Sequence, residues 1–195
     1  MARPREFNER MVLDAIRNTF WDRGYAATSV DDLVRATGLG KGSLYGAFGS
    51  KREMFVRALR EYCEGGLAYA ERKMIGEDAG TLRRMRGYAR GMVELIARRR
   101  GCLLAKAIAE LGGENGDVDA IVGNFYRRYE NIFVRAIRQS QRAGEIGTDT
   151  DARRRARLLV AVMRGIESMG KGGVPAATLR GITDNALAFT EGRPA

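Results

Sequence analysis

Lys41 and Ser43 sit among the glycines of GLGKGSLYGAFGSK, residues 38–51, and a lysine, a hydroxyl and a flexible backbone together can cradle phosphate. The spacing excludes the two common forms of that chemistry. A P-loop lysine is followed at once by Ser or Thr, whereas Lys41 is followed by Gly42. A dinucleotide fingerprint opening on Gly38 and Gly40 needs glycine at position 43, where Ser43 stands, and no strand pattern precedes it. The neighbouring Asp31–Asp32 pair raises magnesium-dependent diphosphate chemistry on an all-α enzyme, but the D-D-x-x-D pattern fails because position 35 is Arg. The pair reads better as acid at the positive end of a helix. The chain has no histidine, the commonest general base and metal ligand, and Cys63 and Cys102 are too far apart in sequence to suggest a metal cluster. Neither an enzyme nor a cofactor is expected.

The elements around these residues read as helix almost throughout. Only three prolines occur in 195 residues, β-branched alternation is scarce, and 45% of residues are hydrophobic, enough for a core. Phe7, Met11, Val12, Ala15, Ile16 and Phe20 recur at helical spacing up to Gly24. Thr28 and Ser29, each three residues before an acid, can cap a short second helix that Gly38 ends. Leu44 and Phe48 mark a third, and Ser50 caps a fourth whose inner face holds Met54, Phe55, Ala58, Leu59 and Tyr62. Two short helices joined by a glycine turn form a helix-turn-helix, although an ordinary helical corner fits the same spacing. Longer helices follow over roughly 81–100, 102–111, 117–142, 151–169 and 175–190, with Pro175 read as the first helical residue of the last.

The net charge of +10 suits a polyanionic partner without locating it, because residues 1–60 carry +4 and the rest +6. No signal peptide and no apolar run of about 18 residues is read, so a reducing cytoplasm and no membrane partner are expected.

The stretch AIRNTFWDRGYAATSVDDLVRATGLGKGSLYGAFGSKREMF closely resembles the DNA-binding signature of the TetR family of transcriptional regulators. The resemblance implies an all-α homodimer of about nine helices per chain, with a DNA-binding head (1–50) and a ligand-binding and dimerisation body (51–195). It further implies a repressor on a palindromic double-stranded operator, released by a small-molecule inducer. Lys41, Gly42 and Ser43 then open the recognition helix, where base edges are read and Gly42 permits close approach. Thr28, Ser29, Tyr45 and Lys51 are expected on phosphate, and Arg3 and Arg5 form a basic arm that can enter a minor groove. Gly40 stands where the family often has a capping Ser or Thr, and Gly46 where a bulkier residue is usual, so the recognition helix is expected to be weak. A non-specific architectural DNA binder is the other reading.

In the C-terminal part, RRRGCLLAKAIAELGG (98–113) resembles a TetR subgroup with Gly-Cys at the start of the sixth helix, some of whose members respond to electrophiles or oxidants. Cys102 follows three arginines at an expected helix start, a setting that favours the reactive thiolate, although most lone cysteines are small core residues. For a non-covalent inducer the candidates are Tyr62, Tyr88, Met92, Phe125 and Tyr129, with Lys106 and Glu130 as polar partners, although such stripes also build plain core. The dimer face is expected on Leu158, Leu159, Val162, Met163, Ile166, Leu179, Ile182 and Ala186 of the last two helices, which match the family's dimerising bundle.

Overall fold

The computed structural model describes residues 7–76, 80–97, 100–114, 116–149 and 151–190. Among them are nine α-helices and no strand. These are α1 (Glu9–Arg23), α2 (Val30–Thr37), α3 (Lys41–Phe48), α4 (Lys51–Met74), α5 (Thr81–Ala97), α6 (Leu103–Leu111), α7 (Gly116–Arg142), α8 (Ala152–Lys171) and α9 (Ala176–Thr190). No described helix is long and apolar enough to cross a membrane. Pro175 stands one residue before α9, with its carbonyl accepting from Leu179, rather than inside the helix as expected.

The chain divides into two compact units, one of Met1–Glu64 with Cys102–Val122 and one of Gly65–Gly101 with Gly123–Ala195. The unit around the first three helices is therefore larger than residues 1–50. It includes the first half of α4, all of α6 and the start of α7.

Local signals start and stop its helices. Asn8 accepts from the N–H groups of Arg10 and Met11 and so caps α1, and Gly24, at φ 86°, ends it. Ser29 and Asp32 form a reciprocal capping box on α2, and Ser50 and Glu53 exchange the same bonds at the start of α4. Gly38, in the left-handed conformation, turns the chain from α2 toward α3. Ile16, Phe20, Leu33, Leu44, Met54, Phe55 and Leu59 are all but fully buried around this corner. Phe20 and Tyr25 both set their rings edge-on to Phe55, at 5.0 and 5.1 Å. Met11, counted in the apolar stripe of α1, is instead 69% exposed.

In the second unit α5, α8 and α9 pack on one another. The dimer face expected there divides. Leu159, Met163, Ile166 and Leu179 are buried within the unit, so they are core and are unavailable to a partner in this arrangement. Val162, Ile182 and Ala186 are half-buried, and Leu158 is exposed, as are Met169 on α8 and Phe189 on α9.

Candidate nucleic-acid interface and sensing helix

The eight residues of α3 turn two large side chains inward, Leu44 and Phe48, and leave Lys41, Gly42, Ser43, Tyr45 and Gly46 exposed. Gly40, at the N-cap, supplies no side-chain bond, so the first N–H groups of α3 keep their donors facing outward. Exposed donors, a lysine, a hydroxyl and a phenol on one helix surface are what a nucleic-acid groove requires. Lys41 reaches back to Asp31 near the start of α2, with Nζ 3.6 Å from the carboxylate. Lys51, at the start of α4, lies over the ring of Tyr25, 4.4 Å from its centroid.

Two expected phosphate ligands are differently employed. Thr28 is 1% exposed, and its hydroxyl donates to the Gly24 carbonyl at 2.6 Å. It therefore buttresses the α1–α2 corner and has no hydroxyl to offer a phosphate, a correction to the expectation. Ser29 is exposed, but its hydroxyl donates to the Asp32 carboxylate and accepts from the Asp32 N–H. The backbone N–H and hydroxyl of Ser29, followed by the Arg23 and Arg35 guanidiniums, hold the Asp32 carboxyl below the ordinary carboxylate range. Arg3 and Arg5 lie outside the described residues, as do Arg98 and Arg99 of the triplet before Cys102.

The expected sensing residues fall into two groups, one in each unit. In the first, Cys102 is the N-cap residue of α6, half-buried, and the Tyr62 hydroxyl approaches its Sγ at 3.5 Å. Tyr62 packs edge-on against Trp21 of α1, with centroids 4.9 Å apart. One turn along α6, the Lys106 ammonium donates to the carbonyls of Trp21 and Asp22, at 2.5 and 2.9 Å. These carbonyls lie in the last turn, at the negative end of α1, so the cation is both donor and dipole partner. One turn further, the Glu110 carboxylate accepts from the Ala26 N–H at 2.7 Å. Gly24 makes that reach possible, since a Cβ there would stand 2.1 Å from Glu110 Oε1. Lys106, expected to orient a ligand, thus grips the end of α1 together with Glu110. Sequence pattern alone gave Glu110 no such role, because its partner is a backbone N–H 84 residues away.

In the second unit the hydroxyls of Tyr88 and Tyr129 are 2.8 Å apart and buried. Burial raises both phenols, Tyr129 to about 12, with Arg164 opposing the rise. Phe125 stacks on Tyr129 at 5.3 Å, Arg164 lies over both rings, and Glu167 pairs with Arg164 at 2.6 Å. Met92 is half-buried on α5. Glu130 instead pairs with Arg153 and Arg157. Among the described residues no three His, Cys, Asp or Glu side chains gather to hold a metal.

A head of short capped helices, with a glycine-turned third helix exposing a polar face, defines a helix-turn-helix DNA-binding protein. Comparison with known proteins agrees. The model for "Bacterial regulatory proteins, tetR family" matches residues 12–58, and "Tetracyclin repressor-like, C-terminal domain" matches 81–172. The HTH-type transcriptional repressor ComR of Escherichia coli K12 is 26% identical over 189 residues, 95% of this chain and 90% of that protein. A cysteine-substituted form of the TetR family regulator CifR, solved with 26-base-pair operator DNA, superposes with a TM-score of 0.78 at 26% identity, over 95% of this chain and 98% of that one. The reduced form of Escherichia coli NemR shares the fold, with a TM-score of 0.77 at 18% identity over 95% and 97% of the two chains. The chain belongs to the tetR family of bacterial regulatory proteins and is a DNA-binding transcriptional regulator.

Proposed function

We propose that this regulator is a cytoplasmic homodimeric repressor that leaves a palindromic operator when Cys102 is modified by a thiol-reactive compound. Residues 1–50 act as the reading head and 51–195 as the sensing and dimerising part. Lys41, Gly42 and Ser43 meet base edges, and Tyr45 and Lys51 meet phosphate. Leu158, Val162, Ile182 and Ala186, with exposed Phe189, supply the two-fold contact, and half-sites one or more helical turns apart follow from that symmetry. Operator-bound CifR supports the DNA reading.

The observation that carries the sensing half is the position of Cys102 on α6. It touches Tyr62, which packs on Trp21, and one turn later the same helix grips the Trp21 and Asp22 carbonyls through Lys106. An adduct on the sulfur displaces the Tyr62 hydroxyl and with it the start of α6. The test is footprinting on the DNA flanking the protein's own gene, with and without a thiol-reactive compound, for wild type and Cys102→Ser. A palindromic footprint lost on treatment of wild type but kept by the variant is expected. Unchanged binding after treatment removes the sensing proposal.

A second reading has a non-covalent inducer at Tyr88, Met92, Phe125 and Tyr129. It is favoured by the buried hydroxyl pair and the Arg164 cation over the rings, polar groups among aromatic side chains that a ligand displacing them would bond. Either event has to supply a coupling of about 1–3 kcal/mol.

A further inference from the structure

The two acids at the start of α2 have separate fates. Asp32 completes the capping box and is clasped by Arg23 and Arg35. Asp31 takes no part in the cap; its side chain is 79% exposed, and its carboxylate faces Lys41 Nζ at 3.6 Å across the turn. An exposed ion pair of this kind adds little to stability, so it does not explain itself as a fold device. It does place a carboxylate beside the lysine that opens α3.

A carboxylate held against DNA is repelled by phosphate unless a base donor takes it up. In the major groove the cytosine N4 amino group is such a donor, and its paired guanine presents O6 and N7 as acceptors beside it. One C·G base pair therefore displays a donor next to an acceptor, the complement of an acceptor next to a donor on the protein. We propose that Asp31 and Lys41 together read one C·G pair in each half-site, Asp31 accepting from cytosine N4 and Lys41 donating to guanine. The inference rests on the reading of α3 as the recognition helix, and it makes Asp31 a specificity-determining residue.

The test is selection of binding sites from a pool of double-stranded oligonucleotides with a randomised centre, using wild type, Asp31→Ala, Asp31→Asn and Lys41→Ala. Wild type selects a palindrome with one C·G pair in each half-site that Asp31→Ala ceases to require, while Lys41→Ala binds more weakly but keeps the cytosine that Asp31 still reads. Replacing that pair by T·A costs wild type about tenfold in affinity and Asp31→Ala almost nothing. Asp31→Asn, which gains a donor, moves the preference at the same pair to A·T. With the carboxylate gone, Lys41 is released to phosphate, and the salt dependence of Asp31→Ala on non-specific DNA steepens by about one counterion. If wild type selects a palindrome whose every position is kept by Asp31→Ala, the inference is overturned and the recognition-helix reading stands. If wild type selects no palindrome, both fall.

Discussion

Gly42 and Gly46 offer a test of what α3 is for, because the same substitution at two exposed positions one turn apart should separate folding from reading. Both are helical, and nothing stands within 4 Å of where a Cβ would be placed at either. In the free protein Gly→Ala at each site removes backbone entropy from the unfolded chain without a clash, a gain of about 1 kcal/mol apiece. For a chain of this size that raises the melting temperature by about 2–4 °C per substitution. The effects on DNA should then diverge. Position 46 lies in the second turn, away from the residues proposed to enter the groove, so Gly46→Ala prepays ordering and is expected to tighten operator binding by up to about fivefold. In the proposed docking, position 42 is where helix backbone comes against the bases. A methyl inserted into that contact costs about 1–3 kcal/mol as overpacking does elsewhere, a loss of roughly 5- to 150-fold.

The assays are thermal melting, amide exchange over residues 44–47, the first amides bonded within α3, and operator titration on the same three proteins. Weak protection of those amides in the free wild type, rising in both variants, accompanies the expected pattern. If Gly42→Ala binds DNA as tightly as wild type, α3 does not approach the groove through its first turn. Strong amide protection of 44–47 in the free wild type would refute the expectation that Gly40 and Gly46 leave this helix weak.

Lys106→Met keeps the stem of the side chain but removes the donor to the Trp21 and Asp22 carbonyls, so a loss of about 1–2 kcal/mol is expected in chemical denaturation. Asp32 is held below its usual value, so its contribution is present above about pH 4 and is lost as pH falls through the lowered folded-state value. Asp32→Asn should therefore flatten acid denaturation in that window. Tyr129 is raised to about 12 from 10.0, so its buried neutral form stabilises the fold fully below pH 10 and progressively less between about 10 and 12. Tyr129→Phe should lessen that alkaline loss, followed by circular dichroism.

The helices and their ends were legible in the sequence because caps and glycine stops act over a few residues. Ser29, Ser50, Gly24 and Gly38 each work through neighbours within one turn, whereas the Asn8 cap of α1 was not read and the helix was expected to start at Phe7. The exposed face of α3 was legible for the same reason, since Leu44 and Phe48 fix which side is buried. What the sequence could not separate were residues with equivalent local patterns and different distant partners. Thr28 and Ser29 both precede an acid by three, yet the corner with Gly24 buries one and exposes the other. Lys106 and Glu110 look like solvent-facing charges one turn apart until the end of α1 is brought against them. The apolar residues of α8 and α9 carry no mark that tells core from partner-facing surface, and burial alone divides Leu159 from Leu158.

Magnitudes bear on how a small change at Cys102 could suffice for regulation. The grip of α6 on the end of α1 consists of two bonds from an ammonium and one to a carboxylate. A hydrogen bond to a charged group contributes about 1.5–3 kcal/mol where it is well shielded, and less for half-exposed groups such as Lys106 and Glu110. Regulatory couplings between sites are of the same order, about 1–3 kcal/mol. Losing the two Lys106 bonds together, about 1–2 kcal/mol, would therefore supply a coupling in the lower part of that range. Because donor–acceptor distances beyond about 3.5 Å no longer count as bonds, a shift of α6 by roughly an ångström is enough to break the 2.9 Å contact to Asp22. An adduct at the N-cap, one turn before Lys106, is large on that scale, so no wholesale rearrangement of the helix is required for Cys102 to influence the head.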